Sequence, residues 1–139
     1  MRVILAVATI VATMTCASAQ EMVPIKKFIA ENSNRDPSTL EHVGYRCYVV
    51  LRIIGGIFEL DTRPDVQMNG KLFSAWADSF VPNLTGKNFN PDFARSQAER
   101  ISKAYSERIA QSKAMSGNIF NDPVVRSDLE VCSAIAKAR

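Results

Sequence analysis

A single histidine, a single tryptophan and three cysteines among 139 residues leave this chain short of the side chains that usually perform metal, redox or covalent chemistry. His42 has no second histidine, cysteine pair or EF-hand-like carboxylate series at ligand spacing, so no metal site is expected. The sequence also lacks a G-x-S-x-G elbow, a Walker loop, H-E-x-x-H, C-x-x-C and the haem-attaching C-x-x-C-H. Gly55-Gly56 does not have the pattern of a phosphate loop, and is read instead as a place where a helical turn loosens or ends. These absences leave no cofactor to expect. Basic and acidic residues nearly balance, 17 Lys and Arg against 14 Asp and Glu. Without the concentrated basic face of a nucleic-acid binder, no nucleic-acid partner is expected.

Long apolar runs are scarce as well. One opens the chain, MRVILAVATIVATMTCASAQE, with Arg2, an apolar stretch from Val3 to Val11, and then Ala17-Ser18-Ala19. That is the layout of a secretory signal peptide with a small-x-small cleavage site. Residues 1–19 are therefore expected to be a leader cut after Ala19, and residues 20–139 one helical domain. Cys16 follows Thr13-Met14-Thr15 rather than the residues of a lipoprotein site, so no lipid anchor is expected. The other apolar stretch, YRCYVVLRIIGGIFEL from Tyr45 to Leu60, is broken by Arg46, Arg52 and Glu59 within fewer residues than a bilayer needs. No transmembrane segment is expected after the leader. The expected location is the periplasm, with secretion as the alternative. In a bacterial setting the sequon Asn83-Leu84-Thr85 goes unused.

Removing the leader takes Cys16 with it and leaves Cys47 and Cys132, which in an oxidising compartment are expected to pair. In the chain-entropy model, closing a loop of that length stabilises by roughly 4.5 kcal/mol.

Three dipeptides, Asp36-Pro37, Asn90-Pro91 and Asp122-Pro123, have the form of helix starts. The Asp or Asn oxygen accepts from an otherwise unpaired N–H, and proline at the next position has no donor to lose and a preset φ. After Asp36 the apolar or small positions are Leu40, Val43, Cys47, Val50, Leu51, Ile54 and Phe58, a helical spacing that places Arg46 and Arg52 outward. After Asn90 they are Ala94, Ala98, Ile101, Tyr105 and Ile109, ending near Ser116 with Gly117 as the left-handed stop. After Asp122 they are Val125, Leu129, Cys132 and Ile135. Between the first two, Met68, Leu72, Trp76 and Phe80 suggest a helix with those residues inward and Thr62 and Asp65 as a capping pair. A short helix near Val23 to Glu31 completes the set, and Val81 to Asn90 is the clearest loop. The expected fold is all-α, a small bundle of four to five helices stapled by one disulfide.

The remaining candidates for chemistry are few. Glu59, Asp61 and Asp65 lie within seven positions beyond the glycine pair and would suit a carboxylate-based hydrolase if they faced one another across a cleft. Arg63 beside them suggests solvated charges instead. Whether the three converge is open. The helix after Asn90 carries Arg95, Arg100, Lys103, Arg108 and Lys113 interleaved with Glu99 and Glu107, the pattern of a solvated face. In organisation, though not in any motif, an exported helical domain with one long-range disulfide is similar to small periplasmic acid-stress chaperones. Three functional readings follow: a non-catalytic binding module for a protein or cell-envelope partner, a carboxylate-based envelope hydrolase, and an acid-stress-type chaperone. The first is favoured, with no catalytic residue assigned.

Overall fold

The computed structural model describes residues 22–32, 35–86 and 88–139. The expected leader, its cleavage after Ala19 and Cys16 lie outside the described residues. The chain folds as α1 (Ile25–Glu31), α2 (Pro37–Glu59), α3 (Pro64–Asp78), the single turn α4 (Val81–Leu84), α5 (Pro91–Ser116) and α6 (Pro123–Lys137), with a 3-10 turn at Ile119–Asn121. No strand occurs among the described residues, and none of their helices is long and apolar enough to cross a membrane.

All three Asx-Pro starts are real. Asp36 accepts from the Ser38 N–H, Asn90 from those of Asp92 and Phe93, and Asp122 from those of Val124 and Val125. Each oxygen satisfies donors that the first helical turn leaves unpaired. At the other end of α5, Gly117 has φ 71° and takes the last N–H bond to Lys113. Thr62 and Asp65 are not a capping pair: α3 begins at Pro64 behind Arg63, and the Arg63 N–H donates back to Asp61.

The central element is α2, whose Cys47, Val50, Leu51 and Ile54 are fully buried. They share one core with Ile25, Ala77, Phe80, Ile101, Tyr105, Val125 and Cys132. The Cys47–Cys132 disulfide ties α2 to α6 across that core, with both residues at 0% exposure and the Cα atoms 5.1 Å apart.

Two expectations about α2 and α3 need correcting, and one contact explains both. The α2 helix does not loosen at Gly55-Gly56 but continues to Glu59. Gly55 is where α3 crosses it: a Cβ there would lie 3.0 Å from both the Gly70 carbonyl oxygen and the Ser74 nitrogen. A Cβ on Gly70 would lie 2.6 Å from the Glu59 nitrogen. The two backbones nearly touch, an approach only glycine permits. That crossing also decides which face of α3 points inward. Residue 68 sits about 200° around the helix from residue 70, so Met68 and Leu72 point out, at 68% and 45% exposure. The inner line is Gly70, Phe73 and Ala77, continued by Phe80 beyond the helix, while Trp76 is half-buried.

Candidate binding groove and the polar hub beside it

A further correction concerns Arg46, which is 2% exposed rather than outward. Its guanidinium ends on the Asp128 carboxylate, itself fully buried. The same Asp128 oxygen accepts from the Tyr105 hydroxyl, and the other accepts from the Ile25 N–H at 2.7 Å. Arg46 Nε also donates to the Tyr105 oxygen at 3.3 Å. Thus α1, α2, α5 and α6 meet on one carboxylate. Three converging donors, one of them the Arg46 cation, satisfy it as the anion, which is what a buried charge requires. Burial pushes the Asp128 carboxyl up from the ordinary range, opposed by Arg46, Tyr105 and the Ile25 N–H. Burial also pushes the Tyr105 phenol up, with Asp128 adding to it. The hub is closed to solvent, so its chemistry is structural.

The other residues singled out by sequence do not form one site. Glu59 accepts from the Ser74 hydroxyl at 2.6 Å, Asp61 pairs with Arg63, and Asp65 lies in the first turn of α3. The Arg63 hydrogen bonds hold the Asp61 carboxyl down at about 2. None of the three lines either cavity described below. His42 is half-buried against Phe28, ring centroids 4.6 Å apart. Burial lowers its imidazole, and Arg46 and Arg100 add to that. Trp76 packs edge-on against Phe73 and lies under Lys137. Among the described residues no three His, Cys, Asp or Glu side chains group in a way that could hold a metal ion.

Among the described residues, two recesses on the surface bear on binding. One, about 500 Å³, lies between α2 and α5 where Ala98 and Ser102 are too small to fill the space against Tyr48, Val49 and Ile53. The other, about 610 Å³, lies where the start of α2, the α4 turn, the loop after it, the start of α5 and the end of α6 come together. Its floor includes Val43, Gly44, Phe80 and Leu84. Gly44 belongs there because a Cβ would come within 3.0 Å of Leu84 Cδ2. Around the floor stand Leu40, Phe89 and Phe93, at 55%, 43% and 50% exposure. Its polar groups include Asn83, Glu41 and Arg139. Arg139 lies over the Phe80 ring at 4.3 Å and donates through Nη1 to the Ser79 carbonyl. With the Asn83 amide oriented to satisfy both groups, its oxygen accepts from Arg139 Nη1 and Nη2 at 3.1 and 2.8 Å. Neither Arg139 nor Glu41 makes an ion pair among the described residues.

An apolar recess of several hundred Å³ with a few placed polar groups is the usual form of a binding site. Sequence reasoning missed it, although a signal was there. Phe89 and Phe93 bracket Asn90-Pro91 in an otherwise polar stretch, where large apolar side chains have no helix face to join. Compared with known families, curated proteins and solved structures, the chain finds no match.

Proposed function

We propose that the chain is an exported, periplasmic, non-catalytic interaction module that seats an apolar segment of a protein partner in the groove between α2, α4 and α5. The observation that carries this reading is the ring of half-exposed Leu40, Phe89 and Phe93 around a recess of about 610 Å³. Such side chains gain most when a partner removes them from water, at about 25 cal/mol per Å². Two further features support it. The acids and bases nearest to a catalytic reading, Glu59, Asp61 and Arg63, are engaged with one another or with Ser74. The disulfide suits an oxidising compartment.

The test titrates the chain from Gln20 to Arg139 with the uncharged apolar dye Nile red, followed by fluorescence and by amide chemical shifts. Saturable binding with shifts centred on Gly44, Leu84 and Phe93 is expected, weakened about tenfold in Leu40→Ser/Phe93→Ser. Both substituted side chains are half exposed, so the fold survives the change. Absence of saturable binding overturns the groove. Turnover of peptidoglycan, peptide or ester by the purified chain, abolished in Glu59→Gln, overturns the non-catalytic reading.

A further inference from the structure

With seven residues and no side-chain cap, α1 is too short to persist as a helix by itself and depends on what it touches. Its Ile25 N–H donates to Asp128 at 2.7 Å, Lys26 reaches Glu130 at 3.3 Å, and the Phe28 ring rests on His42. Just before the helix, the Met22 carbonyl accepts from Arg108. Ile25 is fully buried, with Met22, Phe28 and Ile29 packed against the core beside it. One of these attachments ends on the side chain whose charge changes between pH 5 and 8. Phe28 lies over His42 with the ring centroids 4.6 Å apart and the planes tilted by 46°, which helps keep the imidazole half out of water. The charges that act on it are both cationic: Arg46, one turn further along α2, and Arg100 from α5. Glu41, its neighbour in sequence, lines the recess beside α4, which His42 does not. On the α1 side Lys27 is paired with Glu31 and Lys26 with Glu130 of α6, and His42 makes no ion pair among the described residues.

We propose that α1 is an acid-sensitive flap: a proton on His42, beneath Phe28, favours a form in which α1 lifts from α2 and α6 while the disulfide-stapled remainder stays folded. An imidazolium regains its water when the Phe28 ring leaves, and the two guanidinium groups facing it are better screened in water than under an apolar cover. Burial is the larger cause that lowers the His42 imidazole in the closed form, followed by Arg46 and Arg100. The open form therefore takes up the proton more readily, and opening gains as pH falls from 6.5 towards the lowered closed value. Asp128 works the other way. Burial pushes its carboxyl up, so the closed form holds a proton there more readily than an open one. The trigger is thus His42 and not the hub. Lifting α1 uncovers Ile25 and the core side chains packed against it, an apolar surface that the neutral form keeps covered. This device lies apart from the groove and does not depend on it.

The experiment follows amide hydrogen exchange and the His42 ring signal by NMR in the chain from Gln20 to Arg139 between pH 7.5 and 5.0, each exchange rate being divided by that of an unstructured chain at the same pH. The Phe28 and Asn32 amides, bonded to the Pro24 and Phe28 carbonyls, report on α1. They should lose protection several-fold towards pH 5.0, in step with the His42 ring, while amides of α5 and α6 keep theirs. His42→Phe keeps a ring under Phe28 and cannot titrate, so it should abolish the response. Arg100→Gln, on an exposed side chain, removes one of the facing cations. It should raise the midpoint of the ring and carry the α1 response to higher pH with it. Unchanged α1 protection, whether or not the ring titrates, overturns the flap. Protection that rises in acid, as an attraction between the imidazolium and the Phe28 ring would produce, overturns it as well. Equal losses in α5 and α6 overturn a local opening. An acid response that persists in His42→Phe, or stays in place in Arg100→Gln, overturns His42 as the trigger.

Discussion

Replacing Asp128 by asparagine keeps the size and shape of the side chain and removes only its charge. The consequence follows from what surrounds it. Arg46, 2% exposed, loses its buried counter-ion. The Ile25 N–H, the Tyr105 hydroxyl and Arg46 must then share one amide oxygen, while the new NH2 group faces donors. Breaking a buried pair by removing one partner costs about 3–5 kcal/mol, a large part of the 5–15 kcal/mol typical of a domain. At about 4 °C per kcal/mol for a chain of this size, the melting temperature should fall by about 12–20 °C. Thermal melts followed by circular dichroism, with the disulfide intact, measure this directly. A companion variant makes the test sharper. Arg46→Met with Asp128→Leu removes both charges and so avoids a buried unpaired cation, but it leaves the Ile25 N–H and the Tyr105 hydroxyl without their acceptor, so the double variant should recover part of the loss. A shift below about 4 °C for Asp128→Asn, or a double variant as unstable as the two single losses added together, would refute the hub as the point where the helices are joined.

Gly56 and Gly70 should respond to alanine with opposite signs. Gly56→Ala, with nothing within 4 Å of the new Cβ, should stabilise by about 0.5–1 kcal/mol. Gly70→Ala would bring its Cβ to 2.6 Å from the Glu59 nitrogen and should destabilise by about 1–3 kcal/mol; urea denaturation of both variants decides it, and equal effects contradict the close crossing. Cys47→Ser and Cys132→Ser should each lose a similar amount, up to about 4.5 kcal/mol, and the double variant hardly more. Additive losses in melting temperature would mean the cysteines stabilise independently. His42 has its imidazole lowered from 6.5, so the unfolded chain takes up the proton first. The stability it contributes is held above pH 6.5 and lost as pH falls from there towards the lowered folded value. Comparing urea midpoints at pH 7.5 and 5.5 should show a smaller drop in His42→Gln than in the parent; an unchanged drop contradicts this assignment.

Much of the helical frame was legible because local chemistry wrote it. Asp36, Asn90 and Asp122 act on donors two or three residues away, and Gly117 needs only its own φ. The disulfide was legible because Cys47 and Cys132 each fell on an apolar face. What failed was everything that depended on a partner far along the chain. Arg46 looks like a surface residue until Asp128 supplies a counter-ion from 82 positions away. Gly55 reads as a helix-weakening residue, yet Gly55 and Gly70 are each the space the other helix occupies. That contact in turn rotated Met68 and Leu72 outward, a reversal that apolar periodicity alone had no means of showing. The groove was invisible for the same reason, since its walls come from three separate stretches of chain, 37–45, 80–93 and 135–139.

The hub also bears on the order in which the molecule assembles. α1 has no cap of its own, because Pro24 offers no side-chain acceptor, and its first N–H depends instead on a residue 103 positions later. The α2–α3 hairpin is held by neighbours in sequence and can close early, whereas α1, although Phe28 meets His42 of α2, must wait for α6 to anchor its first N–H. Contacts of such long range are the slow ones, because loop-closure entropy must be overcome before they form. Among the described helices α1 should therefore be one of the last to settle, and a chain stopped short of Asp128 should leave it unanchored.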